Sequence, residues 1–224
     1  MNVHNDFRPA FTLAEVLITL GIIGVVAAIT IPGVMSKNYE KQTVSKLLEA
    51  QSILTQAVRQ AEEEYGELPS WGITGQNAES AANVFNNLKP FLKIANDCGT
   101  YDKNGVCFQI DKYKTLNGGY NTASYAADTS RYKFSLLNGM SVSVLAIAST
   151  KSVQINVDTN GVSKPNIIGK DLFMLQYDED SRSIVAMGHP DSLYPYTETC
   201  KKTASGYGCA YYVLQYKDMR YLYE

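Results

Sequence analysis

The chain has 224 residues, 45% of them hydrophobic and 19% charged, with a net charge of -2. That is enough apolar material for one or two domains, and too balanced a charge for nucleic acid or an acidic membrane surface to be the main partner. Four cysteines fit an oxidising compartment, and the 16 tyrosines suit half-buried sheet surface, where the ring packs and the hydroxyl stays wet.

Residues 1–10 (MNVHNDFRPA) are polar and show no hydrophobic periodicity. Residues 11–31 read FTLAEVLITLGIIGVVAAITI, apolar apart from Thr12, Glu15, Thr19 and Thr30. As a helix this stretch would span about 31 Å, one hydrocarbon thickness, and a backbone in lipid must satisfy its own hydrogen bonds. A membrane helix is expected. Pro32 and Gly33 should kink or loosen it rather than end it, because Val44, Leu47, Leu48, Gln51, Leu54, Val58, Ala61 and Tyr65 resume at spacings of three and four. Gly66, Pro69 and Gly72 mark its end. An ordinary secretory signal peptide, cut near Ala27–Ala28 or Pro32–Gly33, is the alternative; the in-phase amphipathic continuation argues against it.

Glu15 is the anomaly of the apolar span. A charged side chain at the bilayer centre costs about 2.5–3.5 kcal/mol, and less near an end. A glutamate at the hydrated membrane edge is the plain reading. The functional reading needs a cation within the membrane region, and cleavage before Phe11 would create one, a free α-amine for Glu15 of the same or a neighbouring chain.

Those residues carry a resemblance. Ala10-Phe11-Thr12-Leu13-Ala14-Glu15 followed by VLITLGIIGVVAAITIP resembles the prepilin cleavage and methylation segment of type IV pilins and type II secretion pseudopilins. The resemblance implies cleavage between Ala10 and Phe11 by a prepilin peptidase, N-methylation of Phe11, assembly through Glu15 and a loosened helix at Pro32. The residue before the cut is usually Gly in that family and is Ala10 here. It further implies insertion in a bacterial inner membrane with the head outside the cytoplasm, an assembly platform, other pilin subunits as partners, and a periplasmic or extracellular filament. A type II secretion pseudopilin is the alternative within the family, and a single-pass anchored binding domain the alternative from another class.

The organisation expected is a leader at 1–10, a transmembrane and filament-core helix at 11–32, its amphipathic continuation at 33–66 and a globular head at 67–224. The head is read as α+β, a mainly antiparallel sheet packed on the long N-terminal helix in the manner of a pilin. A helix is expected over 79–96, interrupted near Pro90. Strands are expected over 106–110, 132–137, 140–148, 153–158, 172–177, 183–187 and 209–216. Asn138-Gly139 and Asn160-Gly161 read as type I′ hairpin turns, and Asp178-Glu179-Asp180 as a solvated turn.

Cys98 and Cys107 are nine apart, as are Cys200 and Cys209. Local pairing leads among three connectivities, each loop contributing about 2.5–3 kcal/mol on the loop-entropy model. No spacing suits zinc. Asp158, Asn160 and Asp171, with Asn166 between them, offer oxygen ligands for calcium, but Gly169 stands where an EF-hand needs its bidentate glutamate, so turn chemistry is preferred and no cofactor is expected. Lys201 and Lys202 with Tyr207, Tyr211 and Tyr212 could neutralise and stack a nucleic-acid strand; a wet tyrosine-rich strand is the commoner meaning, and a nucleic-acid partner is not expected. No GxSxG, HExxH, phosphate loop or dinucleotide fingerprint is present, and no enzyme activity is expected.

Overall fold

The structure is a computed structural model that describes residues 12–122 and 124–223. The predicted leader and the Ala10–Phe11 junction lie outside the described residues. The chain separates into two compact units, Met1–Glu40 and Lys41–Glu224.

Helix α1 runs Leu13–Tyr65, so Pro32 and Gly33 do not end it. It stops at Gly66, whose left-handed backbone (φ 82°) lets its N–H donate to the Glu62 carbonyl at 3.0 Å. Just beyond, the Trp71 indole N–H donates to the Gly66 carbonyl at 2.7 Å. Within the second unit one side of α1 is buried: Thr43, Val44, Leu47, Ala50, Leu54, Ala57, Val58, Ala61 and Glu62. The predicted stripe is displaced slightly. Leu48 and Gln51 are only half-buried and Tyr65 is 41% exposed. Ala50 and Ala57 join the buried stripe.

The sheet has six antiparallel strands in chain order: β1 (Ile94–Gly99), β2 (Arg131–Leu136), β3 (Ser141–Ile147), β4 (Ser152–Asp158), β5 (Leu172–Asp178) and β6 (Ser183–Ala186). An α+β fold with a long apolar N-terminal helix therefore matches the expectation. Strand periodicity divides the apolar residues between two faces. Phe134, Val142, Val144, Ile155, Val157, Phe173 and Leu175 share one cluster with the α1 stripe and with Val84, Phe85 and Leu88 of α2 (Ala78–Leu88). Leu172 and Met174 alternate with them on β5 and pack with Phe108, Tyr113, Tyr125 and Ile168.

Several expectations are corrected. The predicted strand over 106–110 is irregular, because the backbone N–H groups of Val106, Cys107 and Phe108 donate to the Asp102 carboxylate at 2.8–2.9 Å instead of to a strand. The helix expected over 79–96 ends earlier, at Leu88, and its tail becomes the bulged edge strand β1. The segment 209–216 is helix α4 (Cys209–Tyr216), not a strand. Its buried positions, Cys209, Ala210 and Val213, fall at helical spacing, and tertiary burial outweighs the β-propensity of its tyrosines. The Asn138-Gly139 hairpin exists, but only Gly139 has positive φ (83°), so the turn is not type I′. Leu136 pairs with Met140 across a three-residue loop closed by Gly139 N–H to Leu136 carbonyl, the geometry of a type I turn followed by a left-handed glycine. Asn160-Gly161 likewise has positive φ only at Gly161, and it opens a long connection to β5 rather than a tight hairpin.

Glu62 joins the end of α1 to the sheet. It is 4% exposed; Oε1 accepts from Leu68 N–H (3.1 Å) and Tyr177 hydroxyl (2.7 Å), and Oε2 from Arg182 Nε (3.0 Å). Glu62→Ala leaves two buried donors unpaired and should destabilise the fold by about 3 kcal/mol in urea unfolding. Arg182→Ala leaves the Glu62 carboxylate buried without its cation and should cost a comparable amount, about 3 kcal/mol. A loss below about 1 kcal/mol for either variant would refute this role.

Candidate functional site

The first turn of α1 is built by two side chains. Glu15 Oε2 accepts from the Thr12 backbone N–H at 2.8 Å and from its hydroxyl at 2.7 Å, and the Glu15 N–H donates to Thr12 Oγ1 at 3.2 Å. This is a reciprocal capping box, with Thr12 as N-cap and Glu15 three residues on. The T-x-x-E spacing that encodes it is legible in the sequence. Beyond that turn the apolar stretch of the helix is uncovered among the described residues. Its most apolar window has a mean hydropathy of 2.4 with none of it buried, and Leu17, Ile18, Leu20, Ile23, Val25 and Ile29 are each more than 60% exposed. The helix is long and apolar enough to cross a membrane.

Both cysteine pairs are closed locally, Cys98–Cys107 and Cys200–Cys209. The first loop is shaped by the Asp102 carboxylate. The long segment that follows is pinned by Lys133, a buried side chain whose ammonium donates to the carbonyls of Thr100 and Asp128. Burial pushes the Lys133 pKa down to about 8. In the second loop Gly206 (φ 88°) lies so close to the Ile168 carbonyl that a Cβ would meet it at 2.3 Å, so only glycine fits.

Asp158 and Asp171 are fully buried. Asp158 accepts from the Tyr113 hydroxyl (2.5 Å) and from Asn160 N–H (3.1 Å). Asp171 accepts from Asn166 N–H and Ile167 N–H, each at 2.6 Å. All four carboxylate oxygens are thus committed, three to amides of the β4–β5 connection and one to the Tyr113 hydroxyl. Only the amide oxygens of Asn160 and Asn166 are buried without a partner there, and two neutral oxygens beside committed carboxylates do not make a calcium cage. These residues fit turn chemistry.

The stacking residues proposed for nucleic acid are dispersed. Tyr211 and Tyr212 belong to a cluster with Tyr196 of α3 (Tyr196–Thr199) and with Tyr216, whereas Tyr207 packs on Tyr194 and donates to Asn121. Much of the tyrosine therefore lies around α3 and α4 rather than on the sheet surface.

Burial, and then the neighbouring Asp171 charge, push Asp158 well above the usual carboxylate range, and burial raises Asp171 to about 6 against its amide donors. Folded-state values above the unfolded 3.8 mean that this pair's contribution to stability is full below that pH and is lost as pH rises through about 6. Urea unfolding should therefore show a decline between about pH 4 and about pH 6 that Asp158→Asn, which removes one charge at constant shape, reduces. An undiminished decline in the variant would assign it to other groups. No protein-family model matches the chain, and neither does any curated protein or solved structure.

Proposed function

We propose that the chain is a prepilin-type subunit, cut between Ala10 and Phe11, N-methylated at Phe11 and assembled through its apolar helix into a type IV pilus or pilus-like filament. One observation carries this reading: an apolar helical surface exposed among the described residues, with a single carboxylate in the first turn. Such a surface needs lipid before assembly and other helices after it. Because lipid tails are as apolar as leucine, exchanging one cover for the other supplies little selectivity, and polar groups decide the register. Glu15 is the polar group available. Thr12 engages Oε2, so the carboxylate is partnered in the monomer, while Oε1 takes no hydrogen bond among the described residues and can meet the α-amine of a neighbour. Two disulfides in the second unit suit a head outside the cytoplasm. The partners on this reading are prepilin peptidase, other pilin subunits, the inner membrane and an assembly platform.

Mass spectrometry of the purified protein tests the processing step. N-methyl-Phe11 at the terminus is expected; an intact Met1, or a cut near Gly33, would overturn the proposal. Glu15→Ala should leave membrane insertion and cleavage intact and lower recovery of the subunit in sheared filaments by about tenfold, the loss of one favourable ion pair of about 1.4 kcal/mol per contact. Wild-type filament yield in that variant would exclude the pairing role.

A further inference from the structure

Helices α3 and α4 are joined by the Cys200–Cys209 disulfide and carry a group of tyrosines between them. Within that group one pair is in direct hydroxyl contact. Tyr196 and Tyr216 are hydrogen-bonded to each other through their phenol oxygens at 3.0 Å, and their ring centres lie 6.1 Å apart at 59°. Elsewhere the phenols of Tyr113, Tyr132, Tyr177 and Tyr207 are tied to Asp158, Asp97, Glu62 and Asn121. Tyr216 is the last residue of α4 and 46% exposed, and Tyr196 is half-buried, so an oxidant in solution reaches the pair. The ortho carbons of a phenol flank its oxygen, so hydroxyl contact also sets ortho carbon near ortho carbon. Tyr211 stacks on Tyr196 at 5.4 Å and holds that ring in place.

We propose that Tyr196 and Tyr216 form an oxidative cross-linking site, converted to an intramolecular dityrosine by a peroxidase and hydrogen peroxide. Each phenol gives up one electron and one proton. The two phenoxyl radicals join ortho carbon to ortho carbon, and the hydrogen on each of those carbons moves to the phenol oxygen to restore the ring. The peroxide takes up the two electrons and two protons and leaves as two waters, so the protein loses two hydrogens. Holding both radicals in one contact makes their coupling intramolecular and favours it over coupling between chains. An exposed side chain changes rotamer within nanoseconds, so Tyr216 is free to close the remaining gap between the rings. The product ties together the same two helices as the disulfide, by a bond that thiols do not reduce. This assignment does not rest on the filament reading.

The full-length protein in detergent micelles is treated with a haem peroxidase and limiting hydrogen peroxide, then reduced, alkylated and digested with trypsin. Cleavage after Arg182, Lys201, Lys202 and Lys217 places Tyr196 on peptide 183–201 and Tyr216 on peptide 203–217. With the disulfide reduced, the two peptides should stay joined and weigh two hydrogens less than their sum, with fragmentation placing the bond on Tyr196 and Tyr216. Dityrosine fluorescence should run with the monomer on a denaturing gel. Tyr196→Phe and Tyr216→Phe should each lower the yield of joined peptide about tenfold, because the preset contact is lost. Both keep the ring, and a urea midpoint like the wild type's separates lost coupling from lost fold. Tyr194→Phe, on the same peptide as Tyr196, should leave the yield unchanged. The proposal is overturned by the absence of joined peptide, by a bond on other tyrosines, by coupling mainly between chains, or by a folded Tyr196→Phe or Tyr216→Phe protein with wild-type yield.

Discussion

Helix α1 has to satisfy two different surroundings along one backbone. Its first half is apolar on all sides and carries a capped carboxylate at its start; from Thr43 to Glu62 only one side is buried, and that side is lined with alanine at Ala50, Ala57 and Ala61. The alanines share one buried cluster with Phe134, Val144, Ile155 and Phe173 of the sheet. Lys46, Gln51 and Thr55 then fix the axial position, the first donating to the Thr159 carbonyl at 2.9 Å and the other two to the Ile184 carbonyl.

Buried carboxylates hold the irregular parts. Asp102 gathers three successive N–H groups, Asp171 two, and Asp158 a phenol and an amide. Each replaces a backbone partner that a strand or helix would have supplied, so long connections can be buried without orphaned amides. The Asp158–Asp171 proximity is the cost of this device, since two carboxylates in one dry site oppose each other's ionisation.

What was legible in the sequence follows from how local its cause is. The hairpin β2–β3 and strands β4, β5 and β6 were readable, because alternating apolar residues next to Asn-Gly and acidic turns need no distant partner to be recognised. The type I′ assignment failed because asparagine tolerates positive φ without requiring it, and the loop took three residues instead of two. Strand β1 was not readable: Ile-Ala-Asn-Asp-Cys-Gly has little strand preference and is a strand only through its pairing with β2. Helix α4 reads as a strand in the sequence because its tyrosines favour strands, while its burial is helical. Glu15 stands out in the sequence by its cost and by the resemblance; its first partner, Thr12, is written there as the capping-box spacing.

Trp71 is the chain's single tryptophan, and its indole is tied to the carbonyl of Gly66, the residue that stops α1. It is 4% exposed and belongs to the same cluster as the helix stripe. The protein therefore contains a native optical probe at the junction of helix and sheet. Its emission reports on whether that junction is dry, in a lipid environment or out of it, with no label to perturb either.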